Sequence, residues 1–185
     1  MLSQPKTVIF ILISAVIIWL TRRTLSDIRS HGFYRFFAWE AILAQIIRNV
    51  EHWFHEPFSV HQMVSWTLLV LCSYLVIHGT LALRRMGKPS RERQDPLLFP
   101  IEKTTQLVTT SIYRYIRHPI YSSLICLTWG LYFKSPDLID ALLAVAATCI
   151  LFATAKVEVA ENVRYFGDTY REYMSRTRMF IPYLF

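Results

Sequence analysis

The chain has 185 residues, is 54% hydrophobic and 15% aromatic, and carries a formal net charge of +7. A soluble domain of this size is usually about 45–50% apolar, so the composition argues against a soluble globular protein. In a membrane protein, excess positive charge usually sets the orientation and contacts anionic lipids. The sequence shows no basic patch interleaved with a nucleic-acid recognition motif of the kind found in soluble proteins. We therefore expect one all-α integral membrane domain over residues 1–185.

Five apolar segments follow one another along the chain. Their approximate bounds are Thr7–Thr21, Phe33–Val50, Val60–Leu83, Pro119–Phe133 and Leu138–Ala155. A spanning helix needs roughly 17–25 residues, so the first and fourth segments are short. The second contains Arg35, Glu40 and Arg48, and an alternative is that it lies flat at the interface, which would leave four spans. We predict about five transmembrane helices, with the first retained rather than cleaved.

Basic residues alternate between the connections of these segments. The connection after the second segment carries Glu51 and Glu56 but no Lys or Arg. The basic residues after the first, third and fifth segments are Arg22, Arg23, Arg29 and Arg35; Arg84, Arg85, Lys88, Arg91, Arg93, Lys103, Arg114 and Arg117; and Lys156, Arg164, Arg171, Arg176 and Arg178. The positive-inside rule then predicts an external N-terminus and a cytoplasmic C-terminus.

A polar, ring-bearing block, residues 113–121, precedes the fourth segment. Pro119 suits the first position of a helix, because its missing N–H would be unpaired there in any case. The free N–H groups of that helix end would then lie beside Arg117 and His118 and favour a carboxylate or phosphate. The alternative is an ordinary helix start whose arginines reach lipid headgroups.

A second charged block follows the fifth segment. Glu158, Glu161 and Tyr165 have the spacing of one helix face, although Glu161 is at least as well explained as a solvated charge. Gly167 is expected to break or bend this helix, and Tyr170, Tyr173 and residues 180–185 are expected to form an interface-seeking aromatic tail. The short turn at residues 135–137 makes the last two segments antiparallel neighbours. That arrangement brings Glu158 to the level of His118, so that a carboxylate, an imidazole, an arginine and two tyrosines line one cytoplasmic pocket.

These residues have a recognisable order. Arg117-His118-Pro119-Ile120-Tyr121, then Glu158, the block from Tyr165 to Tyr173 and a late Ile181-Pro182 resemble the isoprenylcysteine carboxyl methyltransferase family, which is related to phospholipid N-methyltransferases. The match covers residues 104–182, the predicted cofactor-binding catalytic half, whereas residues 1–83 match only in kind. The resemblance implies a polytopic α-helical enzyme that uses S-adenosyl-L-methionine without a Rossmann domain. The five glycines form no Gly-rich loop, in agreement.

The resemblance also implies residue roles. The catalytic candidates are Glu158, His118 and Arg117. The cofactor-binding candidates are Thr105, Gln106, Leu107, Val108, Tyr113, His118, Pro119, Ile120, Tyr121 and Glu158. His118 and the adjoining helix end would hold the methionine carboxylate, Glu158 would attract the ammonium or ribose, and tyrosine faces would favour the sulfonium. Two positions depart from the family pattern: Thr154 replaces a substrate-facing arginine, and Ser123 replaces a glycine.

The implied activity is methyl transfer to a membrane-embedded, lipid-like acceptor, with S-adenosyl-L-homocysteine as the product. Isoprenylcysteine carboxyl O-methylation is the nearest model, and a phospholipid amine or a small thiol is the alternative acceptor. Two other functions stay open. One is nicotinamide binding, as in sterol-reductase-type membrane proteins, and the other is a non-enzymatic, lipid-interacting protein. We predict neither a nucleic-acid partner nor an obligate protein partner.

Three further sets of residues have simpler interpretations. Glu40 is either functional or paired with Lys6, Arg35 or Arg48. The group of His52, His55 and His61 with Glu51 and Glu56 fits no zinc motif, and we predict no metal site. The cysteines Cys72, Cys126 and Cys149 lie in apolar segments and are expected to be small buried side chains without disulfides.

Overall fold

The computed structural model describes residues 4–90 and 98–184, and this part of the chain is all-helical. Its α-helices are α1 (Gln4–Leu25), α2 (His31–Asn49), α3 (Val60–Met86), α4 (Pro119–Tyr132), α5 (Leu138–Phe166) and α6 (Asp168–Arg176), with 3₁₀ turns at Val50–His52 and Ser111–Arg114. The described ranges contain no strand, only isolated bridges between Pro89 and Thr104 and between Ile116 and Arg178. Arg91, Arg93 and Phe185 lie outside the described residues.

Three of the described helices, α1, α3 and α5, are long and apolar enough to cross a membrane. The all-α membrane fold is thus confirmed, while the number of five spans stays a prediction, since α4 has 14 residues and α2 carries internal charges. At 1.5 Å per residue the 29 residues of α5 extend about 44 Å, which exceeds the roughly 30 Å hydrocarbon core. Its C-terminal turns, with Glu158, therefore reach past the apolar layer.

The helix ends follow from local chemistry. The side chain of Ser30 caps α2 by accepting from the Phe33 N–H, and that of Asp137 caps α5 by accepting from the Asp140 N–H at 2.7 Å. Pro119 is the first residue of α4, as predicted. Gly167 separates α5 from α6 at φ +62° and ψ −136°, a conformation essentially restricted to glycine. The predicted break at this glycine is confirmed.

Helices α4 and α5 are antiparallel and form the centre of the fold, with α2 packed on α5, α3 on α4 and α1 on α2. Small residues allow the close approach of α2 and α5, where Ala38 and Ala155 are buried beside Leu151. Polar contacts join the same helices at the other end. There Gln45 accepts from Thr128 Oγ1, and its Nε2 donates to the Asp140 carbonyl at 3.0 Å.

Several side chains differ from the sequence-based expectation. The prediction that the cysteines are buried is wrong, because Cys72 and Cys126 are only half-buried and Cys149 is exposed; all three are free. None of the ion pairs expected for Glu40 forms among the described residues, where this carboxylate accepts from Ser14 Oγ at 2.5 Å.

The three basic residues considered for Glu40 have other partners. Lys6 pairs with Glu51 at 3.1 Å. Arg48 pairs with Asp137 and Asp140, and Arg35 pairs with Glu102. The described ranges contain no group of three potential metal-ligating side chains. In that region the imidazole of His61 lies 3.0 Å from both the Ser59 hydroxyl and the Phe133 carbonyl.

Candidate functional site

A cavity of about 320 Å³ lies between α2, the segment of residues 98–108, the start of α4, the C-terminal half of α5, and α6. Its volume falls within the roughly 300–1,000 Å³ usual for small-molecule sites. The predicted site residues that line it are Leu107, Val108, Tyr113, Arg117, His118, Ile120, Tyr121 and Glu158. Tyr170 and Tyr173, expected in an interface-seeking tail, are instead buried in the wall of this cavity. The structure thus brings together both charged blocks singled out in the sequence.

The position of His118 is set by the C-terminal tail, which pairs with the residues before α4. The backbone N–H of His118 donates to the Met179 carbonyl at 3.2 Å, and that of Arg117 to the Arg178 carbonyl at 2.8 Å. The His118 ring stacks on Tyr121 at 5.4 Å between centroids. The tail and the α4 start therefore hold the imidazole from two sides.

His118 and Glu158 face each other across the cavity wall. His118 Nδ1 lies 3.7 Å from Glu158 Oε2, which is ion-pair distance but longer than a hydrogen bond. Burial lowers the pKa of His118, against the opposing charge of Glu158, so the imidazole is neutral at pH 7. Its buried Nε2 has no hydrogen-bond partner among the described residues.

Arg117 lines the cavity but also anchors α6. Its Nη1 donates to the carbonyls of Met174 at 3.2 Å and Thr177 at 2.5 Å, at the C-terminal end of that helix. A cation there satisfies carbonyls that have no partner within the helix. Burial lowers the pKa of Arg117. These contacts give Arg117 a structural part in the site, and its predicted catalytic role stays a prediction.

Three predicted cofactor positions do not line the cavity. The backbone N–H groups of Thr105 and Gln106 donate to the Gly87 carbonyl at 3.0 and 3.2 Å, which ties this segment to the end of α3. Pro119 packs against Gly79 of α3, where a Cβ would lie 3.3 Å from the proline Cγ. These three residues therefore contact α3 or its C-terminal end and support the cavity wall without lining the cavity.

A charged network that the sequence did not predict forms another wall of the cavity. The backbone N–H of His31 donates to Glu161 Oε1 at 3.0 Å, and His31 Nδ1 lies 2.6 Å from Glu161 Oε2. His31 Nε2 is 3.7 Å from Glu102 Oε2, and Arg35 donates to Glu102 Oε1. Glu161 is therefore not a solvated surface charge. The interpretation of Glu161 as part of a solvated face is wrong because its partner, His31, lies 130 residues away in the chain and could not be identified from the local sequence.

Glu102 is ionised within this network. Burial raises its pKa, but the charge of Arg35 and the hydrogen bond from His31 outweigh burial and lower it to about 2. Its neighbour Phe99 stacks on Trp39 of α2, with 5.9 Å between ring centroids and 21° between planes. The segment that covers the cavity is thereby held to α2 by an ion pair and an aromatic contact.

Tyrosines complete the wall near α6. The Tyr173 hydroxyl donates to the Tyr113 carbonyl at 2.7 Å, which joins α6 to the turn before α4. Burial raises the pKa of Tyr113 and of Tyr170, so both phenols are neutral. The cavity thus presents neutral aromatic rings beside its charged groups.

The two departures from the family pattern are both buried in helix contacts. Thr154 is fully buried and donates to the Ile150 carbonyl one turn earlier at 2.8 Å. Ser123 donates likewise to the Ile120 carbonyl at 2.6 Å. Neither side chain lines the cavity. Position 154 therefore carries a neutral side chain that is bonded within its own helix.

A second, more apolar cavity of about 1,030 Å³ lies between α3, α4, α5 and the tail. Leu71, Ile125, Phe152 and Phe180 are among its lining residues. Phe180 separates it from the first cavity, since its ring centroid is 6.1 Å from that of His118. A second, apolar cavity therefore adjoins the one that holds His118 and Glu158.

Comparisons with known proteins bear on this arrangement. A family model described as phospholipid methyltransferase matches residues 60–169, from the start of α3 to the start of α6. Methanethiol S-methyltransferase 1 of Bradyrhizobium diazoefficiens is 32% identical over 75 residues, which are 40% of this chain and 26% of that protein. The alignment thus spans about a quarter of the relative's length. No solved structure matches the chain significantly.

Proposed function

The chain belongs to the phospholipid methyltransferase family, and we propose that this membrane methyltransferase takes its methyl group from S-adenosyl-L-methionine and transfers it to a lipid-like acceptor. One observation carries the proposal. The cavity combines a carboxylate, Glu158, with two buried nitrogens that have no hydrogen-bond partner among the described residues, Arg117 Nε and His118 Nε2. A ligand that carries both a carboxylate and positive charges fits this donor and acceptor set.

Particular residues would hold the two ends of such a cofactor. The start of α4 beside His118 suits the carboxylate, because free helix N–H groups favour an oxyanion. Glu158 suits the ammonium or the ribose hydroxyls, and the faces of Tyr113 and Tyr121 suit a sulfonium. When bound, the cofactor supplies an electrophilic methyl group together with a neutral thioether leaving group.

The chain's own contribution is positioning and exclusion of water. Tyr113, Tyr121 and His118 are buried in the wall, so a reacting group there has little access to solvent. A carboxylate acceptor needs only alignment with the methyl group. An amine or thiol acceptor must also lose a proton, and the neutral imidazole of His118 is the group suited to take it.

The second cavity supports an acceptor that enters from the bilayer. Its apolar lining suits a hydrocarbon chain. Phe180 belongs to that lining and packs near the ring of His118. The buried, neutral Thr154 provides no cation for an acceptor carboxylate. This observation favours an amine or a thiol over an isoprenylcysteine carboxylate as the acceptor group that is methylated. Methylation of a thiol is what the name of the bacterial relative states for that protein.

The orientation and the division of the chain belong to the same proposal. The predicted alternation of basic connections places the N-terminus outside and the cavity and C-terminus in the cytoplasm. Residues 104–182 then form the catalytic half of a single domain, with residues 1–83 as its membrane support. The methyl donor would reach the cavity from the cytoplasm and the acceptor from the membrane.

The test is a methyl-transfer assay in proteoliposomes with methyl-labelled S-adenosyl-L-methionine. Three acceptors are compared: N-acetyl-S-farnesylcysteine for a carboxylate, phosphatidylethanolamine for an amine and a long-chain alkanethiol for a thiol. Labelling of one acceptor, lost in Glu158→Gln and kept in Glu172→Gln, supports the proposal. Glu172 is a suitable control because its exposed pair with Arg176 lies away from the cavity. No labelling of any acceptor by a folded protein that also fails to bind the donor would contradict it.

A further inference from the structure

Arg35 has more unused hydrogen-bonding capacity than any other described charged side chain in the cavity wall. The residue is only 3% exposed, and its Nη1 donates to Glu102. Its Nε and Nη2 have no hydrogen-bond partner within residues 4–90 and 98–184. Buried polar groups in native proteins are nearly always hydrogen-bonded. The unpaired edge of this guanidinium therefore calls for a ligand.

Another arginine of the same helix shows what a purely structural pairing looks like. Arg48 donates from Nε to Asp140 Oδ1 at 3.0 Å and from Nη2 to Asp137 Oδ2 at 2.5 Å. Both atoms that are unpaired in Arg35 are thus satisfied by carboxylates in Arg48. The two arginines share a residue type and a helix, and they differ in whether the chain itself supplies the second partner.

The surroundings of Arg35 hold its guanidinium in place. Glu102 holds the other side of the guanidinium, and His31 lies between Glu102 and Glu161. The guanidinium carbon is 4.7 Å from the Phe99 ring centroid and 5.1 Å from that of Trp39. An arginine held by an ion pair and two rings loses little further freedom when it binds a ligand.

We propose that Arg35 binds an oxyanion in the cavity through its Nε and Nη2 atoms. These two atoms form one edge of the guanidinium, and that edge matches the two oxygens of a carboxylate or phosphate. The inference rests on the proposed function and deepens it, because the methyl donor offers a carboxylate. A phospholipid phosphate is the other source of the same chemistry, and the experiment separates the two.

The experiment is calorimetric binding to the detergent-purified full chain with two matched pairs of ligands. The first pair is S-adenosyl-L-homocysteine and its decarboxylated analogue 5′-deoxy-5′-(3-aminopropylthio)adenosine, which keeps the ammonium and lacks only the carboxylate. The second pair is dihexanoyl phosphatidic acid and dihexanoylglycerol, which lacks the phosphate. Each pair differs in the oxyanion while it keeps the nucleoside or the acyl chains. The proteins are wild type, Arg35→Gln, Arg35→Lys and the control Arg48→Gln.

The expected result is that Arg35→Gln weakens binding of one oxyanion ligand by about tenfold or more and changes its matched partner by less than about twofold. Arg35→Lys keeps the charge without the planar edge, so its affinity for that ligand should lie between those of wild type and Arg35→Gln. It also provides the test if the glutamine variant does not fold. Arg48→Gln should lower the melting temperature without changing the difference within either pair. The ligand pair that responds identifies the source of the oxyanion.

Other outcomes separate this inference from the proposed function. If wild type binds S-adenosyl-L-homocysteine and both Arg35 variants bind both oxyanion ligands as tightly, the inference is overturned and the proposed function stands. If wild type does not bind S-adenosyl-L-homocysteine but binds phosphatidic acid through Arg35, the proposed cofactor is wrong and the inference stands. Binding of neither oxyanion ligand by folded wild type overturns the inference.

Discussion

His31 binds both carboxylate oxygens of Glu161, although the two residues are 130 positions apart in the chain. The backbone N–H of His31 donates to one oxygen at 3.0 Å, and Nδ1 lies 2.6 Å from the other. The contact joins the first residue of α2 to the C-terminal part of α5, at the wall of the polar cavity. Helices from both ends of the chain therefore position the site together.

This contact predicts a loss of stability in Glu161→Gln. The amide keeps the size of the side chain, but it removes the charge and leaves buried His31 with a weaker partner. We expect the free energy of unfolding to fall by about 1–3 kcal/mol, measured by thermal unfolding in detergent. The matched control Glu172→Gln breaks an exposed pair and should change stability by less than about 1 kcal/mol. Equal effects of the two substitutions would contradict the structural role of the contact.

Glu102 predicts an acid-sensitive contribution to stability. Its pKa is about 2 in the folded protein, against an ordinary value of 4.5, so the folded state holds fewer protons between these values. The stabilisation is complete above about pH 4.5 and is lost as the pH falls through about 2. The melting temperature of wild type should therefore fall more steeply than that of Glu102→Gln across this window. Parallel curves for the two proteins would show that Glu102 is not held as an ionised group.

Gly167 predicts a conformational cost for any side chain. Its φ of +62° is unfavourable for other residues, and a Cβ there would meet nothing within 4 Å, so the cost is strain rather than a clash. We expect Gly167→Ala to lower the free energy of unfolding by about 1–3 kcal/mol. Ser175→Ala on the exposed face of α6 is the control and should stay within about 0.5 kcal/mol. An alanine variant as stable as wild type would show that the α5–α6 junction does not require glycine.

The elements with local signals could be predicted from the sequence. Pro119 marks the start of α4, Gly167 marks the end of α5, and the short turn before Leu138 places Glu158 opposite His118. The resemblance to membrane methyltransferases is confirmed at the level of the family. These inferences held because each depends on neighbouring residues or on a motif within one segment.

The charged wall of the cavity could not be predicted in the same way. His31 and Arg35 lie one helical turn apart, which is a weak signal, and their partners Glu102 and Glu161 lie far along the chain. The burial of the cysteines was predicted wrongly because an apolar segment does not indicate which face of a helix meets lipid. Pairing across the fold and the choice of helix face are tertiary properties, and one sequence carries little information about either.

The most direct test of the account is calorimetric binding of S-adenosyl-L-methionine and S-adenosyl-L-homocysteine to the detergent-purified protein, with Glu158→Ala and His118→Ala alongside. The account predicts that wild type binds both ligands and that each variant, folded by thermal unfolding, loses most of that affinity. Binding of neither ligand by folded wild type, or equal binding by all three proteins, would contradict the claim that this cavity holds the methyl donor.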